Sequence, residues 1–125
     1  IPAAGGHGSA RAIAQIHVAL ANGGVTGGKR LMSEAGSRRA LEQQIEGMDL
    51  VLGLPVTYGL GFGLSSMFSV PNPNTIFWGG YGGSLIIIDL DARTTIAYVM
   101  NRMGNTTMGD ARAMALADAF WKALA

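Results

Sequence analysis

The chain has 125 residues, a formal net charge of +1, 19 glycines, 4 prolines and no cysteine. That length is one domain or a piece of one, and an apolar content of 49% excludes a disordered chain. The small net charge gives no electrostatic case for nucleic acid or an anionic membrane, and the lack of cysteine excludes disulfides, thiolate zinc sites and a thiol nucleophile.

Charge is sparse, at 14% of residues against a usual value of about 25%. The deficit is local: from Leu50 to Ile88 no Asp, Glu, Lys, Arg or His occurs, and that block holds eight of the glycines. A solvated surface needs charge at intervals, so most of the block is expected to be covered by protein. Glycine and proline interrupt it, and its longest purely aliphatic run is Leu85–Ile88, so it predicts no membrane span. A soluble chain of cytoplasm or periplasm is expected. The start at Ile1, without Met or a signal-like segment, predicts a cut chain.

In chain order, Ile1 to Gly8 reads as a small-residue loop, and Ser9 offers an N-cap oxygen to a first helix. Ile13, Ile16, His17 and Leu20 fall on one face of it, and Asn22-Gly23-Gly24 ends it. Ser33 is a second N-cap, before a helix expected to carry Arg38, Arg39, Glu42 and Glu46 with one face in solvent. Gly36 weakens its first turn.

Strand signals follow. Tyr58, Leu60, Phe62 and Leu64 alternate with Gly59, Gly61 and Gly63, a period of two that predicts one strand with a bare face. Pro71-Asn72-Pro73-Asn74 predicts a turn. Thr75 to Leu90 and Thr94 to Asn101 read as consecutive strands. The short connection through Asp91-Ala92-Arg93 predicts an antiparallel hairpin. Thr107 followed by Asp110 resembles a capping box for a last helix, whose apolar stripe is Ala113, Met114, Ala117, Phe120, Trp121 and Leu124. The predicted class is therefore α+β, an antiparallel sheet flanked by helices. The chain by itself is expected to supply little cover for the sheet's second face.

Few residues offer chemistry on their own. His7 and His17 lie ten apart with no ligand partners nearby, so no metal site and no cofactor is expected. Asp89 and Asp91 flank a turn, where Asp serves turn geometry. The glycine run Trp78–Ser84 is followed by a strand and not by a helix, which argues against a phosphate-binding loop. Thr26-Gly27-Gly28-Lys29 has the spacing of a nucleophile and lysine but starts no buried helix. The chain contains neither Ser-x-x-Lys nor G-x-S-x-G, so a complete catalytic set cannot be assembled from it.

The ordered set of segments resembles the C-terminal part of the serine β-lactamase and penicillin-binding-protein-like superfamily, above all the family VIII carboxylesterases. The stretch from Ile1 to Gly24 looks like that family's P-A-G-G-x-x-S-T-A-x-D-L-A helix. "GGKRLMSEAG" looks like its next helix start, "YGLGFGL" like its glycine-punctuated strand, and "FWGGYGGSLIIIDLDARTTIAYVMN", ending in Asn101, like its third-motif strand and following hairpin.

This resemblance implies a β-lactamase/transpeptidase-like fold with residues 1–125 as a single segment. It implies that Trp78, Gly79 and Gly80 occupy the third motif, with the Tyr81 backbone N–H as an oxyanion donor and Gly80 keeping bulk from the acyl carbonyl. Trp78, Gly79 and Gly82 would border substrate. Trp78 stands where many relatives place a cation, which favours a small neutral ester over a β-lactam; a cross-strand packing role for Trp78 is the plainer alternative. The nucleophile segment, with Ser-x-x-Lys and Tyr-x-Asn, would be the partner, because neither motif occurs here. A carboxylesterase acting through an acyl-enzyme is the implied function. The alternatives are a β-lactamase or D-Ala-D-Ala peptidase, or a non-catalytic binding module.

Overall fold

A computed structural model describes residues 5–67 and 69–124. The first four residues of the loop expected at the start lie outside them. Helix α1 spans Ala10–Ala21, and Ser9 caps it by accepting from the Ala12 N–H at 3.3 Å. Asn22 ends it, donating its N–H to the Val18 carbonyl. The expected stripe is only partly right: Ile13 and Leu20 pack on the core, but Ile16 is 72% exposed and the buried residues are Ala19 and Ala21. Small side chains face inward because α1 lies close against the sheet, and the Thr95 hydroxyl donates to the Ala14 carbonyl at 3.3 Å.

Strands β1 (Val25–Thr26) and β2 (Lys29–Arg30) form a small hairpin around the Thr26-Gly27-Gly28-Lys29 run. Its two-residue turn, Gly27-Gly28, has φ of 54° and 74°, the positive values that a primed turn requires. Ser33 caps α2 as expected, accepting from the Gly36 N–H at 3.0 Å. Helix α2 is short, however: it ends at Arg38 and passes through a 3-10 turn, Arg39–Leu41. Glu42 is already extended, and Glu46 sits on strand β3 (Ile45–Asp49) opposite Thr57. After Leu41 the polar run Glu42-Gln43-Gln44 offers no apolar stripe to hold a helix on the core, and pairing with the next strand wins.

The expected single strand over the glycine alternation is instead a hairpin. Strand β4 (Leu54–Tyr58) pairs with the short β5 (Gly63–Leu64), and the chain reverses between them, with the Gly59 N–H on the Phe62 carbonyl at 2.8 Å. A Cβ on Gly59 would stand 2.3 Å from the Ala40 carbonyl oxygen, so this glycine admits the 3-10 turn. Strands β6 (Thr75–Gly79), β7 (Leu85–Asp89) and β8 (Thr94–Tyr98) complete a six-stranded antiparallel sheet in the order β3-β4-β5-β6-β7-β8. The predicted hairpin of the last two strands is present. Asp89, fully buried, accepts from the Asp91 and Ala92 N–H groups at 3.0 and 2.8 Å and from the Asn72 amide at 2.7 Å. Asp89 thus serves the turn, and it also anchors the Pro71–Asn74 loop.

Strand alternation sorts the core into two layers. Ile76, Ile86 and Ile88 face one side with Ala21, Ala40, Leu64 and Leu90. Phe77, Leu85 and Ile87 face the other, against Ala113, Ala117 and Trp121 of helix α3 (Ala111–Leu124). The second face is therefore covered after all, by α1 and the turn that follows α2. The charge-free block behaves as expected on β6 and β7, whose residues other than Trp78 are buried. It fails at the β3–β4 tip, where Leu50 and Val51 are 93% and 94% exposed.

The cap of α3 differs from expectation too. Asp110, and not Thr107, takes the N-cap position: its Oδ1 accepts from the Arg112 and Ala113 N–H groups at 3.0 and 3.3 Å. Glycine at 109 ends the preceding turn at φ 60°, which leaves Asp110 as the first side chain able to reach the helix's unpaired donors.

Candidate active site

Trp78 and Gly79 close strand β6, and the chain then turns through Gly80–Ser84 into β7. The glycine run is thus a strand end and a tight turn, followed by a strand. Within the turn the Gly80 N–H donates to the Ser84 carbonyl at 2.9 Å and the Gly83 N–H to the Gly80 carbonyl at 3.2 Å. The Gly82 N–H donates to the Thr106 carbonyl at 2.8 Å. Among the described residues, the Tyr81 N–H meets no acceptor. Tyr81 as a whole is 61% exposed.

Trp78 is half-buried on the α1 side of the sheet and meets Tyr58 edge-on, with ring centroids 5.3 Å apart. It borders two hollows. One, of about 330 Å³, is formed with Tyr58, Gly59, Gly61 and Phe62. The other, of about 210 Å³, includes Ile13, Gly79, Gly80 and Ser84. The first has aromatic and glycine walls, the second adds the aliphatic Ile13, Leu85 and Ile86, and among the described residues no charged side chain lines either. Tyr58 donates its hydroxyl to Asp49 at 3.1 Å; burial and that carboxylate raise its pKa, so it is a neutral phenol at pH 7.

The predicted site residues therefore divide. Trp78, Gly79 and Gly80 share one hollow, and Tyr81 follows directly on them. Gly82 does not line it: this residue is buried against the segment before α3, where a Cβ would come within 2.8 Å of the Met103 methyl. Gly79 is held as closely, since a Cβ there would lie 2.6 Å from the Gly109 nitrogen.

Further side chains lie near these residues: Tyr58 and Phe62 share a hollow with Trp78, Ser84 stands beside Gly80, and Asp110 with Arg112 backs the turn. The one available signal was Asp followed two residues later by Arg at a helix start. The Arg112 Nε donates to Asp110 Oδ2 at 2.9 Å, its Nη1 to the Arg102 carbonyl at 2.9 Å, and its Nη2 to the Gly82 carbonyl at 3.3 Å and also to Asp110 Oδ2. The Asp110 carboxyl is held below the usual carboxylate range, first by Arg112 and then by the N–H groups at the start of α3.

A depressed folded-state pKa contributes stability that is complete above the unfolded value and is lost as pH falls through the folded one. Wild type and Asp110→Ala are accordingly expected to differ in denaturation midpoint at neutral pH and to converge below the ordinary carboxylate range. A difference that stays constant into acid would contradict the ionic part of this contact.

His7 contacts the Gly5 carbonyl two residues back at 3.0 Å, and His17 the Ile13 carbonyl at 2.7 Å with its ring edge-on to Phe62. Among the described residues no group of three His, Asp or Glu could hold a metal ion, and no helix is long and apolar enough to cross a membrane.

Residues 2–120 match the beta-lactamase family. Among solved structures the chain is similar to a family VIII carboxylesterase, with 34% identity, a TM-score of 0.79, and coverage of 88% of this chain and 30% of that one. It is also similar to a novel penicillin-binding protein homologue from Caulobacter crescentus, with 34% identity, a TM-score of 0.83, and coverage of 91% and 31%. No curated protein matches the chain. The chain thus spans about a third of the length of these two structures.

Proposed function

The chain belongs to the beta-lactamase family, and on that premise we propose that it is the C-terminal segment of a serine carboxylesterase. The preceding segment would carry Ser-x-x-Lys and Tyr-x-Asn. The serine attacks the ester carbonyl, the alcohol leaves, and water hydrolyses the acyl-enzyme, with the Lys/Tyr pair moving protons. In both steps negative charge builds on the carbonyl oxygen. The Tyr81 N–H donates to that oxygen, Gly80 leaves room for it, and Trp78 and Gly79 wall the acyl or alcohol group.

The observation that carries this reading is the Tyr81 N–H, which meets no acceptor among the described residues and follows directly on Gly80 at a hollow with no charged lining. Oxyanion donors work by being pre-aimed and free of competing acceptors. Trp78 supplies no cation for a β-lactam carboxylate, which favours a small neutral ester. A D-Ala-D-Ala peptidase or β-lactamase is the second reading, because the penicillin-binding protein homologue is as similar in sequence as the carboxylesterase is.

The test is turnover of p-nitrophenyl butyrate and of nitrocefin by the intact protein, together with labelling by a fluorophosphonate. Faster ester turnover with labelling is expected. Faster nitrocefin turnover would move the assignment to β-lactamase. A protein that neither turns over nor labels is a binding module.

A further inference from the structure

We propose that Asp110 and Arg112 are positioning residues: they clamp the Gly80–Ser84 turn from behind, so that the Tyr81 N–H is presented in one orientation. The inference rests on the oxyanion reading of Tyr81 and adds to it the device that holds the donor.

The turn contains three glycines, and a peptide plane next to glycine is free to rotate. The Tyr81 N–H shares its peptide plane with the Gly80 carbonyl, which accepts from the Gly83 N–H at 3.2 Å. The Gly82–Gly83 peptide that makes that bond, and the Tyr81–Gly82 peptide before it, are held from outside. The Gly82 N–H is taken by the Thr106 carbonyl at 2.8 Å. The Gly82 carbonyl accepts from the Gly104 N–H at 2.8 Å and from Arg112 at 3.3 Å. The same guanidinium holds the Arg102 carbonyl at 2.9 Å, so one planar fork ties the turn to the segment that braces it.

Asp110 sets the direction of the fork. It is bound at one oxygen by the first N–H groups of α3 and at the other by Arg112, and its side chain is only 11% exposed. Space for the pair is made by Gly83. A Cβ there would lie 2.3 Å from Asp110 Oδ2 and 3.1 Å from the Arg112 Nη2. Helix α3, anchored to the sheet by Ala113, Ala117 and Trp121, thereby reaches the donor through a rigid chain of contacts.

Two variants test this in the intact protein. Arg112→Lys keeps the charge beside Asp110 but cannot reach both carbonyls. Asp110→Asn keeps an N-cap oxygen and removes the charge that aims Arg112. Amide hydrogen exchange is expected to quicken across Gly80–Ser84 in both, with the α3 amides still protected. With p-nitrophenyl butyrate, kcat is expected to fall on the order of 10²-fold with KM little changed, the loss typical of a misplaced catalytic group.

Unchanged exchange at the turn in both folded variants would overturn the clamp whether or not the protein is an esterase. Faster exchange with unchanged kcat would overturn its role in presenting the donor. A wild type without ester turnover would count against the esterase reading alone, and the exchange data would still decide the clamp.

Discussion

Replacing Gly80 with valine is expected to lower kcat for p-nitrophenyl butyrate in the intact protein by about 10²–10³-fold, the usual effect of losing one oxyanion donor. A Cβ at Gly80 would stand 2.5 Å from the Ser84 hydroxyl. Alanine can be admitted by rotating that hydroxyl away, so Gly80→Ala should cost much less. The branched valine cannot be admitted this way. It must push the turn itself, breaking the Gly80 to Ser84 bond that closes the turn just before the Gly80–Tyr81 peptide. The measurement is kcat and KM for both variants, with a melting curve to show that each is folded. A folded valine variant with undiminished turnover would remove Tyr81 from the oxyanion site.

The largest loss of stability is expected from Phe77→Ala, at about 3–5 kcal/mol. Phe77 is 1% exposed and sits between the sheet and α3, among Leu85, Ile87, Ala113, Ala117 and Trp121. The cavity left behind cannot collapse easily, because the ring lies over Gly63, where a Cβ would come within 2.8 Å of it. Glycine has no side chain with which to fill the gap, and the neighbouring alanines are nearly as limited. Urea denaturation of the intact protein gives the number, with Val51→Ala as a control in which almost nothing changes because Val51 is exposed. A loss below about 1 kcal/mol would mean that α3 does not pack as described.

The two substitutions probe the middle of strand β6 and the turn that follows it, and they show where the sequence could be read. Strand β6 and the strand after it were legible because consecutive bulky apolar residues without charge have to be buried on both faces. The caps at Ser9 and Ser33 were legible because a hydroxyl before a helical pattern has one obvious use. The alternation from Tyr58 to Leu64 misled, because period two is also what a strand entering and leaving a glycine turn produces. Only the approach of the Ala40 carbonyl to Gly59 distinguishes the two, and residues 40 and 59 are brought together by the fold. The helix expected through Glu46 failed for a similar reason: its propensity is fair, but pairing with β4 offered its backbone a partner.

By itself, then, the sequence determined the class of the fold, the hairpin of the last two strands through Asp91-Ala92-Arg93, and the resemblance to the esterases. These depend on residue type and order along the chain. The tertiary structure alone decided that α1 covers the second face, that Asp110 caps α3, that Gly82 packs against Met103 and not into the hollow, and that the Tyr81 N–H meets no acceptor among the described residues. Each of these depends on which distant groups come within about 3 Å, the reach of a hydrogen bond, and local sequence patterns carry no information at that range.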